Sequence, residues 1–182
     1  MKVAETAVAG VLAIDPVAHE DARGFFLETW REERYRAIGV TLPFVQDNHS
    51  RSGRGVLRGM HYQLDAPQGK LVTVARGAVF DVAVDLRRSS PTFGGWAGVE
   101  LTDANHRQLW IPPGCAHGFY VLSETADVIY KSTAAYLGSD QRAVRWDDPS
   151  VGIDWPLAGG ARPQVSPRDA EAPYLSAAPT FP

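Results

Sequence analysis

The fold is decided by the run Phe80-Asp81-Val82-Ala83-Val84-Asp85-Leu86, in which an apolar side chain stands at every second position. Successive side chains of a strand point to opposite faces, so Phe80, Val82, Val84 and Leu86 share one face. Outward from this run, the 17 glycines and 13 prolines are spread through the chain rather than gathered in one linker. Such punctuation is typical of many short strands separated by turns, and it predicts a sandwich, a jelly roll or a small barrel.

Most of the predicted strands lie in the central part of the chain, where apolar and β-branched residues recur in short runs. They are Val56–Gln63, Lys70–Ala75, Ala78–Leu86, Trp96–Thr102, Gln108–Ile111, Gly118–Leu122 and Asp127–Tyr136. On the last of these strands, Tyr130 and Tyr136 share a face. They could supply a proton donor and a stacking surface, although tyrosines also line sheets simply for packing.

One helix is predicted before these strands. Residues 30–38 are rich in helix formers. Thr29 and Glu32 have the spacing of a capping box at the start of this stretch. Gly39 can end the helix, because glycine accepts the backbone conformation of a helix C-terminus.

The N-terminal and C-terminal parts of the sequence each contain a short run whose structure can be predicted from its residues. Residues 7–14 are apolar, but only Lys2 precedes them as a basic residue and no small-residue cleavage site follows. This pattern favours a strand over an export signal, and hence a cytoplasmic protein. Ser166 is a candidate N-cap with Pro167 at the first helical position. Residues 177–182 resemble a loose tail.

Composition and charge exclude several classes of protein. The chain has 182 residues, of which 45% are apolar and 21% charged, and this predicts a single domain over residues 1–182. The 18 Lys and Arg against 21 Asp and Glu give a net charge of −3, so we expect no nucleic-acid or membrane partner. Cys115 is the only cysteine, which excludes an intrachain disulfide and a cysteine-based zinc site. No apolar run approaches the roughly 20 residues of a membrane span.

Two histidines stand in motifs of a known barrel superfamily. His61 lies in GVLRGMHYQ (residues 55–63), and His117 lies in IPPGCAHGF (residues 111–119). Together these runs resemble the two sequence motifs of the cupins. The resemblance implies an all-β fold, a cupin-type jelly-roll barrel of antiparallel strands with a few short helices.

The first of these motifs departs from its metal-binding form. Gln63 stands where metal-binding cupins have a second histidine, and Gln68 stands near the position of their glutamate. Amide oxygens are poor ligands for transition metals, so we expect no metal. His61 and His117 would then be free imidazoles at the mouth of the barrel. For either histidine alone, a hydrogen-bonded place in the core is the alternative.

A polar and cationic set surrounds these motifs. It comprises the run Gln46–Arg51 together with Arg23, Arg54, Arg58 and Lys70. In an acidic protein, such a local excess of arginine and lysine indicates an anionic small ligand, most simply a phosphate or diphosphate. Solvation of the surface is the alternative, and it suffices for the arginines of the predicted helix, which are Arg31, Arg34 and Arg36.

Longer blocks of sequence match one family over about residues 15–170. The blocks are Asp21–Phe26, Gln46–Ser50, Gly55–Gln63, Gln68–Val72, Val79–Val82, Asp85–Arg87, Ser90–Gly94, Ile111–Gly114, Ala116–Phe119, Asp148–Pro149 and Asp154–Pro156. They strongly resemble the dTDP-4-dehydrorhamnose 3,5-epimerases, which are cupin-fold enzymes of deoxysugar nucleotide synthesis.

The resemblance implies inversion at two carbons beside a ketone. The substrate would be dTDP-4-dehydro-6-deoxy-D-glucose, epimerised at C3 and C5 to dTDP-4-dehydro-L-rhamnose. No cofactor or metal is implied, because the C4 ketone acidifies both neighbouring C–H bonds. By resemblance, His61 is the base, Lys70 lies near the enolate oxygen and Tyr130 is the acid. Asp169 matches the partner of the base, and a role as a first-turn helix carboxylate behind Ser166 is compatible with this.

The resemblance also implies a set of substrate-binding residues. They are Arg23, Glu28, Gln46, Asn48, Arg58, His117, Tyr136 and Gln141. Tyr136 matches the aromatic residue that stacks on thymine, and Gln141 stands where a glutamate is usual. Family members are typically homodimers that exchange N-terminal strands, so Arg23 is expected to reach the neighbouring site. The expected core spans about residues 15–157, with residues 158–182 packing near the site.

Several points stay open at the level of sequence. Strict alternation puts Arg58 and His61 on opposite faces of a strand, so we expect a bulge at Gly59. A single-site (3- or 5-) epimerase of a dTDP-4-keto-6-deoxyhexose in an antibiotic deoxysugar pathway would carry the same residues, since a small change of pose can abolish one inversion. A metal-dependent cupin oxygenase would need more ligands than His61 and His117 provide. A non-catalytic sugar-nucleotide binder would retain Arg58 and Tyr136 but could dispense with His61, Lys70 and Tyr130, so the presence of all three favours catalysis.

Overall fold

The computed structural model describes residues 1–182, with the side chains of all of them except Ala158. Over these residues the strands are β1 (Lys2–Glu5), β2 (Leu12–Asp15), β3 (Ala18–Asp21), β4 (Gly24–Leu27), β5 (Gln46–Gly53), β6 (Leu57–Gln63), β7 (Lys70–Arg76), β8 (Ala78–Asp85), β9 (Trp96–Thr102), β10 (Gln108–Ile111), β11 (Cys115–Val121), β12 (Thr125–Ser132) and β13 (Gln141–Ala143). The helices are α1 (Glu32–Arg36) and α2 (Pro167–Ala170), with a 3₁₀ turn at Ala158–Gly160.

The strands form two facing antiparallel sheets. One sheet has the order β1-β2-β10-β7-β12-β5, and the other has the order β13-β6-β11-β8-β9. Strands β3 and β4 make a separate hairpin. This architecture confirms the predicted jelly-roll barrel of the cupin type with a few short helices.

Buried apolar side chains fill the space between the two sheets. Val72 and Val128 of the six-stranded sheet lie in one cluster with Ala83 and Phe119 of the five-stranded sheet. Helix α1 packs outside this pair of sheets, where Tyr35 is buried in a second cluster with side chains of β2, β7 and β10. The barrel is therefore covered on the outside as well as filled on the inside.

The alternating run in β8 places its apolar side chains as predicted. Phe80, Val82, Val84 and Leu86 belong to one cluster, which also contains Trp155. The Phe80 and Trp155 rings meet edge to face, with centroids 6.1 Å apart. This face of the five-stranded sheet therefore lies under the segment that follows β13, while the opposite face of β8 fills the barrel.

The C-terminal residues are ordered, so the prediction of a loose tail was wrong. Phe181 forms a parallel bridge with Arg87 and packs edge to face against Tyr62, with ring centroids 5.9 Å apart. The Tyr62 hydroxyl donates a hydrogen bond to the carbonyl of Pro179 at 2.5 Å. The contacts that order this segment come from the barrel, which is why local composition did not reveal them.

Helix α1 is present, but it begins two residues later than predicted. Its N-cap is Arg31, and no side chain caps it. Thr29 makes no capping box. Its carbonyl instead accepts hydrogen bonds from the Tyr35 hydroxyl at 3.0 Å and from Gln108 Nε2 at 2.8 Å. The helix also ends earlier than predicted, at Arg36 with Ala37 as its C-cap, and Gly39, with a φ of 94°, lies in the turn that follows.

Each of the predicted strands is present, and the largest differences at their ends are in β11 and β12. Strand β11 begins at Cys115, three residues before the predicted start. Strand β12 ends at Ser132, so Tyr136 lies in the following loop. The prediction that Tyr130 and Tyr136 share one face of a strand was therefore wrong. No helix in the described part of the chain combines the length and apolar character needed to cross a membrane.

Candidate active site

A bulge in β6 turns two side chains toward one cavity. His61 pairs with His117 of β11, but Arg58 pairs with Phe119, so three steps along β6 oppose two steps along β11. Gly59 lies within the bulge with a φ of 141°, and a Cβ there would lie 2.5 Å from a backbone atom of β11. Only glycine fits this position. The bulge expected at Gly59 is confirmed, and Arg58 and His61 line the same cavity.

This cavity lies between the two sheets and has a volume of about 660 Å³. Strands of both sheets and helix α2 contribute to its wall. A cavity of this size suits a small molecule rather than a macromolecule. Its polar and charged lining includes Arg58, His61, Gln63, Gln68, Lys70, His117, Tyr130, Tyr136, Gln141, Arg168 and Asp169.

One histidine of the cavity is backed by a carboxylate from α2. His61 Nε2 lies 2.6 Å from Asp169 Oδ1, with the His61 side chain 28% exposed and that of Asp169 5% exposed. Ser166 Oγ accepts the N–H of Asp169 at 3.1 Å, which confirms the predicted N-cap and fixes the start of α2. Burial would raise the pKa of Asp169, but the hydrogen bond and charge of His61 hold it below its ordinary value. Asp169 is therefore a carboxylate that orients the imidazole.

A second histidine–aspartate pair lies deeper. His117 Nε2 is 3.0 Å from both carboxylate oxygens of Asp81, and the two side chains are 6% and 0% exposed. Burial lowers the pKa of His117, and the attraction of Asp81 only partly offsets this. His117 is therefore a neutral imidazole at pH 7. Sequence reasoning missed Asp81, although an acidic residue flanked on both sides by apolar residues of a strand was a signal.

The opposite wall supplies a lysine and a tyrosine. Lys70 of β7 and Tyr130 of β12 stand on neighbouring strands, with Lys70 Nζ 5.8 Å from the centroid of the Tyr130 ring. Burial lowers the pKa of Lys70 to about 8, while Asp81 acts to raise it. Burial also raises the pKa of Tyr130. At pH 7 the cavity therefore holds a cation and a protonated phenol facing His61.

The outer end of the cavity is aromatic and amide-rich. The Tyr136 hydroxyl donates to Gln141 Oε1 at 2.7 Å, and Arg168 Nη1 donates to the same oxygen at 3.0 Å. A second cavity of about 210 Å³ adjoins this end and is lined by Gln46, Asn48, Gln68, Tyr130 and Tyr136. Arg168 was not predicted, because a charge in a short surface helix carries no local signal of its own.

Two predicted binding residues lie outside both cavities. Arg23 is on the β3–β4 hairpin, where its side chain is 89% exposed and pairs with Asp21. Glu28 pairs with Arg34 at 3.2 Å and with Arg31 at 3.5 Å. Within a single chain, the structure therefore separates these two residues from the others.

The residues at the cupin metal positions do not suit a metal. Gln63 donates through Nε2 to the carbonyls of Ala66 and Ala135 and accepts the N–H of Leu137 through Oε1. Its amide is thus committed to main-chain groups. Among the described residues, no three His, Cys, Asp or Glu side chains are grouped to hold a metal ion.

Proton transfer needs an oriented base and an acid that can reach the same bound molecule. The His61–Asp169 pair and Tyr130 supply them in one cavity, so the fold and the cavity define an acid–base enzyme. The sequence profile described as dTDP-4-dehydrorhamnose 3,5-epimerase matches residues 5–177. A Pseudomonas aeruginosa protein of that name is 49% identical over 183 residues, covering 100% of each chain. The chain belongs to the dTDP-4-dehydrorhamnose 3,5-epimerase family, whose members are isomerases.

Solved structures agree with this assignment. The chain superposes with a TM-score of 0.93 on the Legionella pneumophila epimerase RmlC in complex with dTDP-4-keto-L-rhamnose, at 50% identity over 97% of this chain and 93% of that chain. It is also similar to ChmJ, a 3'-monoepimerase from Streptomyces bikiniensis in complex with dTDP-quinovose. There the TM-score is 0.86, at 36% identity over 93% of this chain and 85% of that chain. The greater likeness to the first favours a double epimerase.

Proposed function

We propose that this chain epimerises dTDP-4-dehydro-6-deoxy-D-glucose at C3 and C5, giving dTDP-4-dehydro-L-rhamnose. His61 and Tyr130 stand on facing sheets of one cavity, and this placement supports the proposal. Inversion requires that a proton leave one face of a carbon and that another arrive on the opposite face. A base and an acid on opposite walls satisfy this requirement.

In the proposed reaction, His61 removes the proton from C5 or C3, and the electrons of the C–H bond form an enolate with the C4 carbonyl. The Lys70 ammonium stabilises the negative charge on the C4 oxygen. Tyr130 then gives a proton to the opposite face of the same carbon. The His61 imidazolium releases its proton to solvent and the Tyr130 phenolate takes one up, which restores both groups. A buried cation acts strongly there because the charge develops only as the C–H bond breaks.

Asp169 holds the His61 ring in one orientation and stabilises the imidazolium that forms, since its carboxylate lies 2.6 Å from Nε2. The nucleotide would lie toward the outer end of the cavity. There we propose that Tyr136 stacks on the thymine ring, with Gln141 beside it. Arg58 would bind the diphosphate. Further substrate contacts are assigned to Gln46, Asn48 and His117.

Proton NMR of dTDP-4-dehydro-6-deoxy-D-glucose in heavy water tests this function. Deuterium should enter both C3 and C5 with wild-type protein, and His61→Ala should abolish exchange at both. Tyr130→Phe is the matched variant on the opposite wall, where exchange should continue without full inversion. No exchange with wild-type protein would contradict the proposal.

A single-site epimerase is the second candidate, because the chain is also similar to the 3'-monoepimerase ChmJ, although at lower identity. It predicts deuterium at one carbon only in the same experiment. The outcome also bears on whether the chain serves rhamnose synthesis or an antibiotic-sugar pathway. A charged nucleotide sugar does not cross membranes, so we propose a cytoplasmic location for either.

We propose that the protein works as a homodimer with exchanged N-terminal strands, in which Arg23 and Glu28 complete the partner's site. The β3–β4 hairpin supports this, because Phe25 and Phe26 are 59% and 73% exposed there. Arg23→Ala and His61→Ala proteins, each impaired alone, should together regain about a quarter of the wild-type activity when they are mixed in equal amounts. Half of the dimers are then heterodimers, and one of the two sites in each heterodimer is intact. A monomer in light scattering would contradict the homodimer. No recovery of activity after the subunits have mixed would contradict the role of Arg23 in the partner's site.

A further inference from the structure

The loop after β12 has its backbone satisfied by glutamine side chains rather than by a strand. Gln63, 2% exposed at the end of β6, provides the central contacts. Its Nε2 donates to the carbonyl of Ala135 at 3.1 Å and to that of Ala66 at 2.9 Å, and its Oε1 accepts the N–H of Leu137 at 2.7 Å. One buried amide therefore joins the main chain on both sides of Tyr136.

Two further glutamines hold the residues between and beside these points. Gln68 Nε2 donates to the carbonyl of Ala134 at 2.8 Å, and Gln46 Oε1 accepts the N–H of Tyr136 at 2.8 Å. Four consecutive residues, 134–137, are thus each held by a glutamine side chain. The Tyr136 side chain itself is half exposed and makes one side-chain hydrogen bond, to Gln141. The ring is therefore positioned chiefly through its main chain.

We propose that Gln63 is a positioning residue for nucleotide binding, acting through the loop that carries Tyr136. The proposal rests on the proposed function, in which the Tyr136 ring receives the base. Every hydrogen bond of the Gln63 amide ends on main-chain atoms, so its effect passes through the loop. Gln63 thus fills a position that metal-binding cupins give to a ligand, but with a structural amide that preorganises a binding surface.

The test is a double-mutant cycle between Gln63→Leu and Tyr136→Ala, read as the Kd for dTDP by titration calorimetry. Leucine has similar volume but leaves two carbonyls and one N–H without partners, so the loop moves to reach water. Gln63→Leu should weaken dTDP binding about tenfold or more. In the Tyr136→Ala background the same change should have less than about a twofold effect, because its target is gone.

Kinetics separate positioning from general damage. Gln63→Leu should raise KM while kcat stays within about threefold, since His61 and Tyr130 are untouched. The matched control is Asp148→Asn, which alters another buried loop-holding side chain away from the cavities. It should lower the Tm without changing the Kd for dTDP. If Gln63→Leu does not fold, Gln63→Glu replaces it in the cycle, since glutamate loses both donated bonds but still accepts from Leu137.

The failures of the two proposals are distinguishable. Wild-type protein that neither binds dTDP nor exchanges deuterium overturns the proposed function, and the positioning role with it. Wild-type protein that does both, while Gln63→Leu binds dTDP normally, overturns the positioning role alone. An equal weakening by Gln63→Leu with and without Tyr136 also overturns it, because the two residues would then act independently.

Discussion

The two histidine–aspartate pairs of the barrel contain the same groups in different settings. His117 and Asp81 stand on neighbouring strands of one sheet and are almost fully buried. His61 is 28% exposed to the cavity, and its carboxylate comes from a helix far along the chain. The two pairs thus differ in exposure and in the origin of the carboxylate. We assign proton transfer to the pair that meets the cavity and fixed hydrogen bonding to the buried pair.

The largest expected effect is that of His61→Asn on catalysis. Asparagine keeps a polar side chain near Asp169 but cannot accept a proton at neutral pH. Deuterium exchange at C3 and C5 should fall about 10³-fold. The free energy of unfolding should change by less than about 1 kcal/mol, because the side chain is partly exposed. Exchange by NMR and urea unfolding check this, and near-normal exchange would assign the base to another residue.

Lys70→Met changes the charged group on the wall of the cavity opposite His61. Exchange should fall about 10²-fold, because the enolate loses its cation. Stability at pH 7 should rise by about 1–3 kcal/mol, since burial lowers the lysine pKa to about 8 and the charged form is costly inside the barrel. Urea titrations at several pH values and exchange rates measure both effects.

The pH dependence of this variant has a defined sign. Between about pH 8 and 10.5 the unfolded wild-type chain holds a proton that the folded chain has released, so wild-type stability rises with pH in that window. Lys70→Met should lack this rise. Wild-type kcat should also fall as pH increases through about 8, where the ammonium is lost. A stability curve of identical shape in both proteins would contradict the assignment.

His117→Asn should affect stability more than deuterium exchange, the opposite of His61→Asn. The variant should lose about 2–4 kcal/mol of stability, because Asp81 loses a buried partner, while exchange falls only about tenfold. Burial lowers the pKa of His117, so the unfolded chain takes up a proton first as pH falls below 6.5, and wild-type stability decreases there. That decrease should be smaller in the variant. If His117→Asn lost more deuterium exchange than His61→Asn, proton transfer would be assigned to His117 instead of His61.

The smallest expected effect is that of Gln141→Glu. Tyr136 and Arg168 both donate to Gln141 Oε1, and a carboxylate oxygen would accept the same two hydrogen bonds. The Kd for dTDP should therefore change by less than about threefold, since an exposed ion pair with Arg168 adds little. Titration calorimetry measures it. A tenfold change would show that the Nε2 of Gln141 itself contacts the base.

Periodicity and motifs were sufficient for the fold and for the inner part of the site. Alternation in β8, the bulge expected at Gly59 and the cap at Ser166 are local rules that the structure confirms. Motif positions placed His61 and His117 at one cavity, but neither is the free imidazole expected there, because each is paired with a carboxylate. These features depend on a few adjacent residues, which is the range over which sequence patterns are informative.

The rest depends on contacts between distant segments. Strand β12 ends at Ser132, and glutamine side chains from other elements make the hydrogen bonds to the main chain of the loop that follows. Tyr136 therefore lies in a loop and not in the predicted strand. Thr29 is held by Gln108 rather than by a capping box. Phe181 is ordered by Arg87. A local sequence pattern cannot predict these partners, because each is more than 70 residues away in the chain.

The sequence separation of His61 and Asp169 has a consequence for folding. The two residues are 108 positions apart, so their contact closes a long loop and requires that α2 be docked against β6. A chain with all its strands paired but α2 undocked would have spectroscopic signals of native sheet and no oriented base. Recovery of activity during refolding thus reports completion of the whole structure, whereas recovery of sheet content reports only the barrel.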